Sequence, residues 1–421
     1  MGAKYGNINL NTKGRGDFMN FIFASDSFKG SLSSEKIGKL LEKELKSIIP
    51  EAKAKSFLIA DGGEGTLDAF MVKDGARRNF VTVFDPLFRK IKASYITFGN
   101  TAVISMSEAS GLTLLQKSEQ NPLYTTTYGT GELILDALKN GYRNIVVAIG
   151  GSATNDGGTG CMSALGVKFL DKDGKSVHGV GESLEKIAKI DTSCLVLSAR
   201  EATFTVMCDV TNPLTGENGA TYVYGPQKGA TPEIASCLEK GMQNYTRVIK
   251  RDLGIDANDI VGGGAAGGIG AALSCFLDAK MTSGIETLLD LVDFDSYLKN
   301  ADFVISGEGR IDSQSASGKV LSGIGKRCLL HGVPLVCIAG CLGDGYEDIY
   351  NIGVTKIYTL ANDKTTLDEA INNAEGVYIE RAKELFEERI DISIAFNTND
   401  EWRRWRRCNF SSRYNFKRIF K

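Results

Sequence analysis

Histidine is nearly absent from this chain, with His178 and His331 the only two in 421 residues. A histidine-built metal centre or a Ser-His-Asp triad is therefore disfavoured, because each draws on imidazoles the sequence barely supplies. Proline is scarce as well, seven residues against 48 glycines. The glycines follow no G-X-Y period, so they are not collagenous. Many glycines with few prolines suit tight strand-to-helix turns whose backbone can approach a ligand closely. No run of eighteen apolar residues occurs, the nearest being the glycine- and alanine-rich stretch from Gly262 to Leu277, so no membrane-spanning helix is expected. Net charge is lacking too. The 49 Lys+Arg and 51 Asp+Glu leave −2, which argues against an electrostatic nucleic-acid binder.

What is present describes a folded protein with chain enough for two or three domains, 43% hydrophobic and 24% charged. Nine cysteines are scattered mostly through apolar stretches, an odd number, and the N-terminus does not resemble a signal peptide. Buried, reduced thiols in the cytoplasm are the expectation. Cys337 and Cys341 lie four apart, but no second pair or nearby histidine completes a zinc site.

Strand-like runs alternate with helical ones, the pattern of an α/β architecture with substantial parallel sheet. Strands are expected at Asn20–Ala24, Ser56–Ala60, Thr101–Ser107, Asn144–Ile149, Phe204–Cys208, Phe303–Ser306 and Leu335–Ala339. Helices are expected at Ser33–Ile48, Gly65–Val72, Gly129–Lys139 and Lys319–Leu330. Between Phe80 and Ser105 short alternating strands occur without a helix, which reads as antiparallel ribbon and places a domain change near residue 76. Residues 1–18 read as a loose polar arm. Residues 391–421 form a basic, aromatic tail, with eight Lys/Arg against three Asp/Glu and both tryptophans, Trp402 and Trp405. Such a tail could touch RNA or anionic lipid, although a disordered appendage is the preferred reading.

Open α/β sheets bind ligands where strands end. Six strand ends carry loops rich in glycine and polar groups: Ser25–Ser31, Asp61–Gly65, Gly150–Gly158, Asp209–Gly216, Ser306–Gln314 and Gly340–Gly345. Glycine frees backbone N–H groups for an anion, carboxylates suit Mg²⁺, and Lys29, Arg310 and Lys319 supply cations for phosphate. Together these are the parts of a phosphoryl-transfer site. Established nucleotide motifs fail: Asp173–Ser176 has the Gly-Lys-Ser of a P-loop, but Phe169 occupies its first glycine. Gly262–Gly267 matches G-x-G-x-x-G without a convincing strand before it or an acid about 20 residues later. That segment reads as a close-packed loop feeding a helix, with a phosphate cradle at Gly263, Gly264 and Gly267 as the alternative.

At these residues the chain resembles the glycerate kinases of the bacterial type-I family. SDSFKGSLS, ADGGEGTLDA, EASGL, TTTYGTGELI, IGGSATNDGGTG, CDVTNPLTG, GPQKGAT, GGGAAGGIGAAL and SGEGRIDSQSASGK run in family order from about Met19 to Ile390. Ser25 stands where the family commonly has proline, and Ala316 and Leu321 replace bulkier or proline residues. The resemblance implies two α/β domains, one flavodoxin-like and discontinuous (19–75 plus 285–390), the other inserted (76–284) and likened to a restriction-endonuclease fold. It also implies ATP- and Mg²⁺-dependent phosphorylation of D-glycerate to 2-phosphoglycerate in the cytoplasm, with 3-phosphoglycerate as the alternative product. A nucleotide-dependent oxidoreductase and a non-catalytic scaffold are the competing classes. Glycerate and ATP are the expected partners, with no nucleic acid and no membrane; oligomeric state is left open, a homodimer included. Asp209, Asp61 and Asp312, each just after an expected strand, are the candidates for the base, and Asp209 is favoured because its loop offers one carboxylate beside Thr211 and Asn212. Lys29 and Arg310 are assigned to the phosphoryl group or the glycerate carboxylate. Asp61 with Glu64, and Glu308 with Asp312, are assigned to metal, turn capping being the alternative for the aspartates. Ser152, Asn155, Asp156, Asn212, Ser313, Gln314, Lys319, Gly263, Gly264 and Gly267 are assigned to substrate or phosphate.

Overall fold

The structure, a computed structural model, describes residues 19–28, 31–59, 65–316, 320–363 and 365–395, from 389 onward as backbone only. The arm 1–18, most of the tail, Lys29, Asp61, Glu64 and Lys319 lie outside the described residues.

The chain opens with β1 (Asn20–Phe23) and β2 (Lys53–Ser56). It continues through β3 (Arg77–Phe84), β4 (Lys90–Phe98), β5 (Thr101–Ser105) and β6 (Asn144–Ala148). A small antiparallel ribbon follows, β7 (Lys168–Leu170) with β8 (Lys189–Asp191), and then β9 (Thr203–Met207) and β10 (Lys280–Thr282). β11 (Phe303–Ile311), β12 (Leu335–Leu342) and β13 (Val354–Thr359) close the series. One sheet has the order β13-β12-β11-β1-β2 and is parallel throughout. Numbered by appearance within that sheet, the order is the 2-1-3-4-5 of flavodoxin-like doubly wound folds. The other runs β10-β9-β6-β5-β4-β3, parallel from β10 to β5 and antiparallel across β4 and β3. All its strands fall between residues 77 and 282.

Alternation along β1 shows how the layers form. Phe21 and Phe23 face one core with Phe303, Leu41 and Phe386. Ile22 faces another, shared with Phe57, Phe70 and Leu288 and with Ile96, Val103 and Val146 of the second sheet. That middle core packs the two sheets together through the helices between them. A third core lies on the far side of the second sheet, under Tyr128–Lys139, Pro232–Leu253 and Ile269–Leu277. The helix Ser34–Ile48 starts where Ser33 accepts from the Lys36 N–H at 3.2 Å, and it buries Ile37, Leu40, Leu41 and Leu45. No helix among the described residues is long and apolar enough to cross a membrane.

Two sequence expectations need correction. The second strand is Lys53–Ser56 rather than Ser56–Ala60, because pairing with β1 sets the ladder and β2 is an edge strand that tolerates polar residues. Phe57 and Ile59 instead leave the strand end and enter the middle core. The strands expected at Phe303–Ser306 and Leu335–Ala339 run on to Ile311 and Leu342, through residues that read as loop. Glycine is what lets them continue. A Cβ at Gly307 would strike the Ile338 carbonyl oxygen, so only a bare backbone can pair there.

Candidate active site

The carboxyl ends of strands from both sheets converge on one cleft of about 1120 Å³. From the first sheet come Asp26, Ser27 and Phe28 after β1, Glu308, Arg310 and Asp312 at the end of β11, and Gly340 and Cys341 on β12. From the second come Gly150, Gly151 and Ser152 after β6 and Cys208, Asp209 and Val210 after β9. The crevice lies beside β1 and β11, where the first sheet's connections reverse direction.

Asp209 and Arg310 therefore face one space from opposite sheets. The Asp209 Oδ1 accepts from Ser283 Oγ at 2.9 Å and from the Gly284 N–H at 2.8 Å. It thereby caps the helix Gly284–Leu291, and the bond spans the point where the chain leaves the second sheet. Arg310 is exposed, with Nε 3.5 Å from Asp312 Oδ2. Asp312 Oδ1 also accepts from the Gln314 N–H at 3.0 Å, an Asx turn. Because β11 extends to Ile311, Glu308 and Arg310 are strand residues, held by pairing with Ala339 and Cys341.

Other expected site residues sit elsewhere. Asp156 is fully buried; Oδ2 accepts from Thr127 N–H and Oγ1, each at 2.8 Å, and from Gly160 N–H at 3.2 Å, while Oδ1 takes the Gly158 N–H at 3.0 Å. Burial pushes its pKa up despite those donors. Asn155 is buried and donates to Thr221 Oγ1 at 3.1 Å. Asn212 donates to Asn218 O and accepts from the Tyr224 hydroxyl at 2.6 Å, so Tyr224 rather than Asn212 lines the cleft. Ser313 and Gln314 occupy an exposed turn outside the lining. Gly263, Gly264 and Gly267 are buried, and the residues of their loop that reach the cleft are Ala265 and Ala266. Gly267, at φ 72°, has no room for a side chain: a Cβ would collide with the Thr154 carbonyl oxygen.

Among the lining residues that the sequence does not single out, Lys228 is the one that carries a charge into a buried position. Lys228, at the end of the one-turn helix Pro226–Lys228, is only 1% exposed yet lines the cleft. Its Nζ donates to the Thr154 carbonyl at 2.7 Å. Burial lowers its pKa to about 7, against the opposing pull of the Asp156 charge. The only sequence signal was its place in the GPQKGAT motif.

Mg²⁺ takes oxygen ligands and is usually held by one or two carboxylates together with substrate phosphates. Among the described residues no group of three or more His, Cys, Asp or Glu is placed to hold a metal. Glu308 and Asp312 are two hard-oxygen donors on one cleft wall, a set that fits Mg²⁺ shared with a nucleotide.

Fold and cleft describe an α/β protein with a polar crevice at its strand ends. The profile of the glycerate kinase family matches residues 21–389. Glycerate 2-kinase of Escherichia coli is 42% identical over 358 residues, covering 85% of this chain and 94% of that protein. A glycerate kinase of Halalkalibacterium halodurans is 41% identical over 366 residues, 86% of this chain and 96% of its own. A crystal structure assigned as glycerate kinase 2 from Salmonella typhimurium LT2 superposes with a TM-score of 0.78 at 40% identity, covering 89% of this chain and 99% of that one. The chain belongs to the glycerate kinase family and is a kinase.

Proposed function

We propose that the enzyme transfers the terminal phosphoryl group of ATP to the 2-hydroxyl of D-glycerate, giving 2-phosphoglycerate, in the cytoplasm. The observation that carries this reading is that one cleft gathers Asp209 from one sheet and Glu308, Arg310 and Asp312 from the other. A two-substrate kinase must hold acceptor and donor within reach of each other, and facing walls do this. The 42% identity to a glycerate 2-kinase supports the choice of hydroxyl. The domain boundaries expected from the sequence belong to the same reading, with the cleft between the two units.

In this scheme the Asp209 carboxylate accepts or orients the hydroxyl proton, as a catalytic aspartate does in other kinases. Its hydrogen bonds to Ser283 and Gly284 fix its direction. Arg310 neutralises charge on the phosphoryl oxygens or binds the glycerate carboxylate. Mg²⁺ held by Glu308 and Asp312 would neutralise nucleotide phosphate charge.

The test is ADP release from ATP and Mg²⁺ with and without D-glycerate, with the product identified by NMR. Absence of glycerate-dependent release overturns the reading, and a 3-phosphoglycerate product overturns the choice of hydroxyl. Asp209→Asn retains an acceptor for the helix cap, so the fold should persist while kcat falls about a hundredfold or more. Undiminished turnover in that variant removes Asp209 from the chemistry.

A further inference from the structure

Lys228 presents a paradox of placement. An ammonium carries three N–H donors, and its one hydrogen bond among the described residues goes to the Thr154 carbonyl. It has no ion pair among them. A cation buried to 1% exposure without a carboxylate partner is unfavourable to the fold, and structural lysines are seldom placed so. The carbonyl that holds it is itself positioned with care. Thr154 packs on Gly267 where a side chain would not fit, and the Gly157 N–H bonds the Gly267 carbonyl at 2.9 Å. The amine is thus fixed in a rigid wall and lines the same cleft as Asp209 and Arg310.

We propose that Lys228 is the oxyanion-holding residue of the cleft, its remaining N–H donors taking a substrate oxyanion, either the glycerate carboxylate or a nucleotide phosphate. This rests on reading the cleft as the kinase site. A compact ammonium suits a single oxygen, whereas the exposed guanidinium of Arg310 suits a planar, bidentate partner. The depressed pKa agrees, since a buried amine with no carboxylate in contact holds its proton weakly until an anion arrives.

Lys228→Met and Lys228→Arg in the full chain test this. Lys228→Met should reduce kcat/KM about a hundredfold or more, with thermal midpoint unchanged or raised, and Lys228→Arg should recover part of the loss. A rise in KM for glycerate alone assigns the carboxylate. A fall in kcat with both KM values held, or a rise in KM for ATP, assigns the phosphate. Activity within about threefold of wild type overturns the proposal, as does a loss that merely follows a lowered thermal midpoint. A measurement on the unaltered enzyme adds independent evidence: reductive methylation with peptide mapping, in which D-glycerate, inorganic phosphate or a non-hydrolysable ATP analogue should protect Lys228. Protection by none of them counts against it. If the wild-type enzyme fails to phosphorylate glycerate while ATP or phosphate still protects Lys228, the glycerate reading falls and the anion site stands. If the wild-type enzyme is active and Lys228→Met equally so, the reverse holds.

Discussion

Replacing Lys228 should change how stability depends on pH. Its pKa falls from 10.5 to about 7 in the folded protein, a depression equivalent to roughly 5 kcal/mol of penalty on the charged form. The unfolded chain keeps that proton up to about pH 10, whereas the folded one sheds it near pH 7. Between these limits the unfolded state binds more protons, so stability rises with pH by about 1.4 kcal/mol per unit, and below pH 7 the full penalty applies. Lys228→Met lacks this contribution. Asp209 and Tyr224 on the same cleft remain in both proteins, whereas Asp156, the buried carboxylate whose charge reaches the amine, is coupled to it, so the difference reports the amine together with that coupling. Urea unfolding of both proteins from about pH 7 to about pH 9, in a buffer free of phosphate, should show the wild type gaining roughly 2–3 kcal/mol on the variant. The slope is the readout, because the absolute offset also contains the Thr154 carbonyl's lost donor. Parallel curves would show that the amine stays solvated and charged, and would refute the account of its burial.

Gly307→Ala should prevent β11 and β12 from pairing, with a destabilisation of about 3 kcal/mol or loss of soluble protein, read by thermal denaturation. Arg327 joins Glu286, Asp290 and Asp295 at 2.9, 2.5 and 3.1 Å, tying helix Val320–His331 to its neighbours. Arg327→Ala should therefore cost about 1–2 kcal/mol, less at high salt because the carboxylates are partly exposed. Truncation after Ala395, which removes all but the first five residues of the basic tail, should leave turnover within about threefold; a hundredfold loss in the same assay would give the tail a part in the site.

Much of this architecture is legible because alternation of apolar runs reports strand and helix directly. The Thr101 and Asn144 strands lie within a residue or two of their expected ends. The helix Pro232–Leu253 carries its own signals, Thr231 as N-cap, Pro232 in the first turn and Gly254 at the end, but it follows no clear strand, so the alternation pattern does not reveal it. Glycine misleads in the opposite direction. Gly307 and Gly340 look like loop and are strand, because what they supply is clearance for a neighbouring backbone. The same ambiguity affects Asn155 and Asp156, whose polar word beside the cleft suggests ligand contact and which the fold uses as buried internal wiring. Lys228 escapes sequence reasoning because a lysine in a Pro-Gln-Lys-Gly stretch reads as a solvated turn. Its burial depends on the Thr154 loop, 74 residues away.

The pairing of β1 with β11 also sets a timetable for biogenesis. The Asn20 N–H bonds Asp302 across 282 residues, and Phe21 lies opposite Phe303. At a synthesis rate of roughly 5–20 residues per second, the first two strands wait roughly 15–55 s for their central partner. Throughout that interval β1 presents an unpaired edge and two phenylalanines to the cell, while the strands of the second sheet are being made. Nascent chains caught in this window are the species on which chaperones would act, and the cleft acquires its Glu308 and Arg310 wall only after that late strand docks.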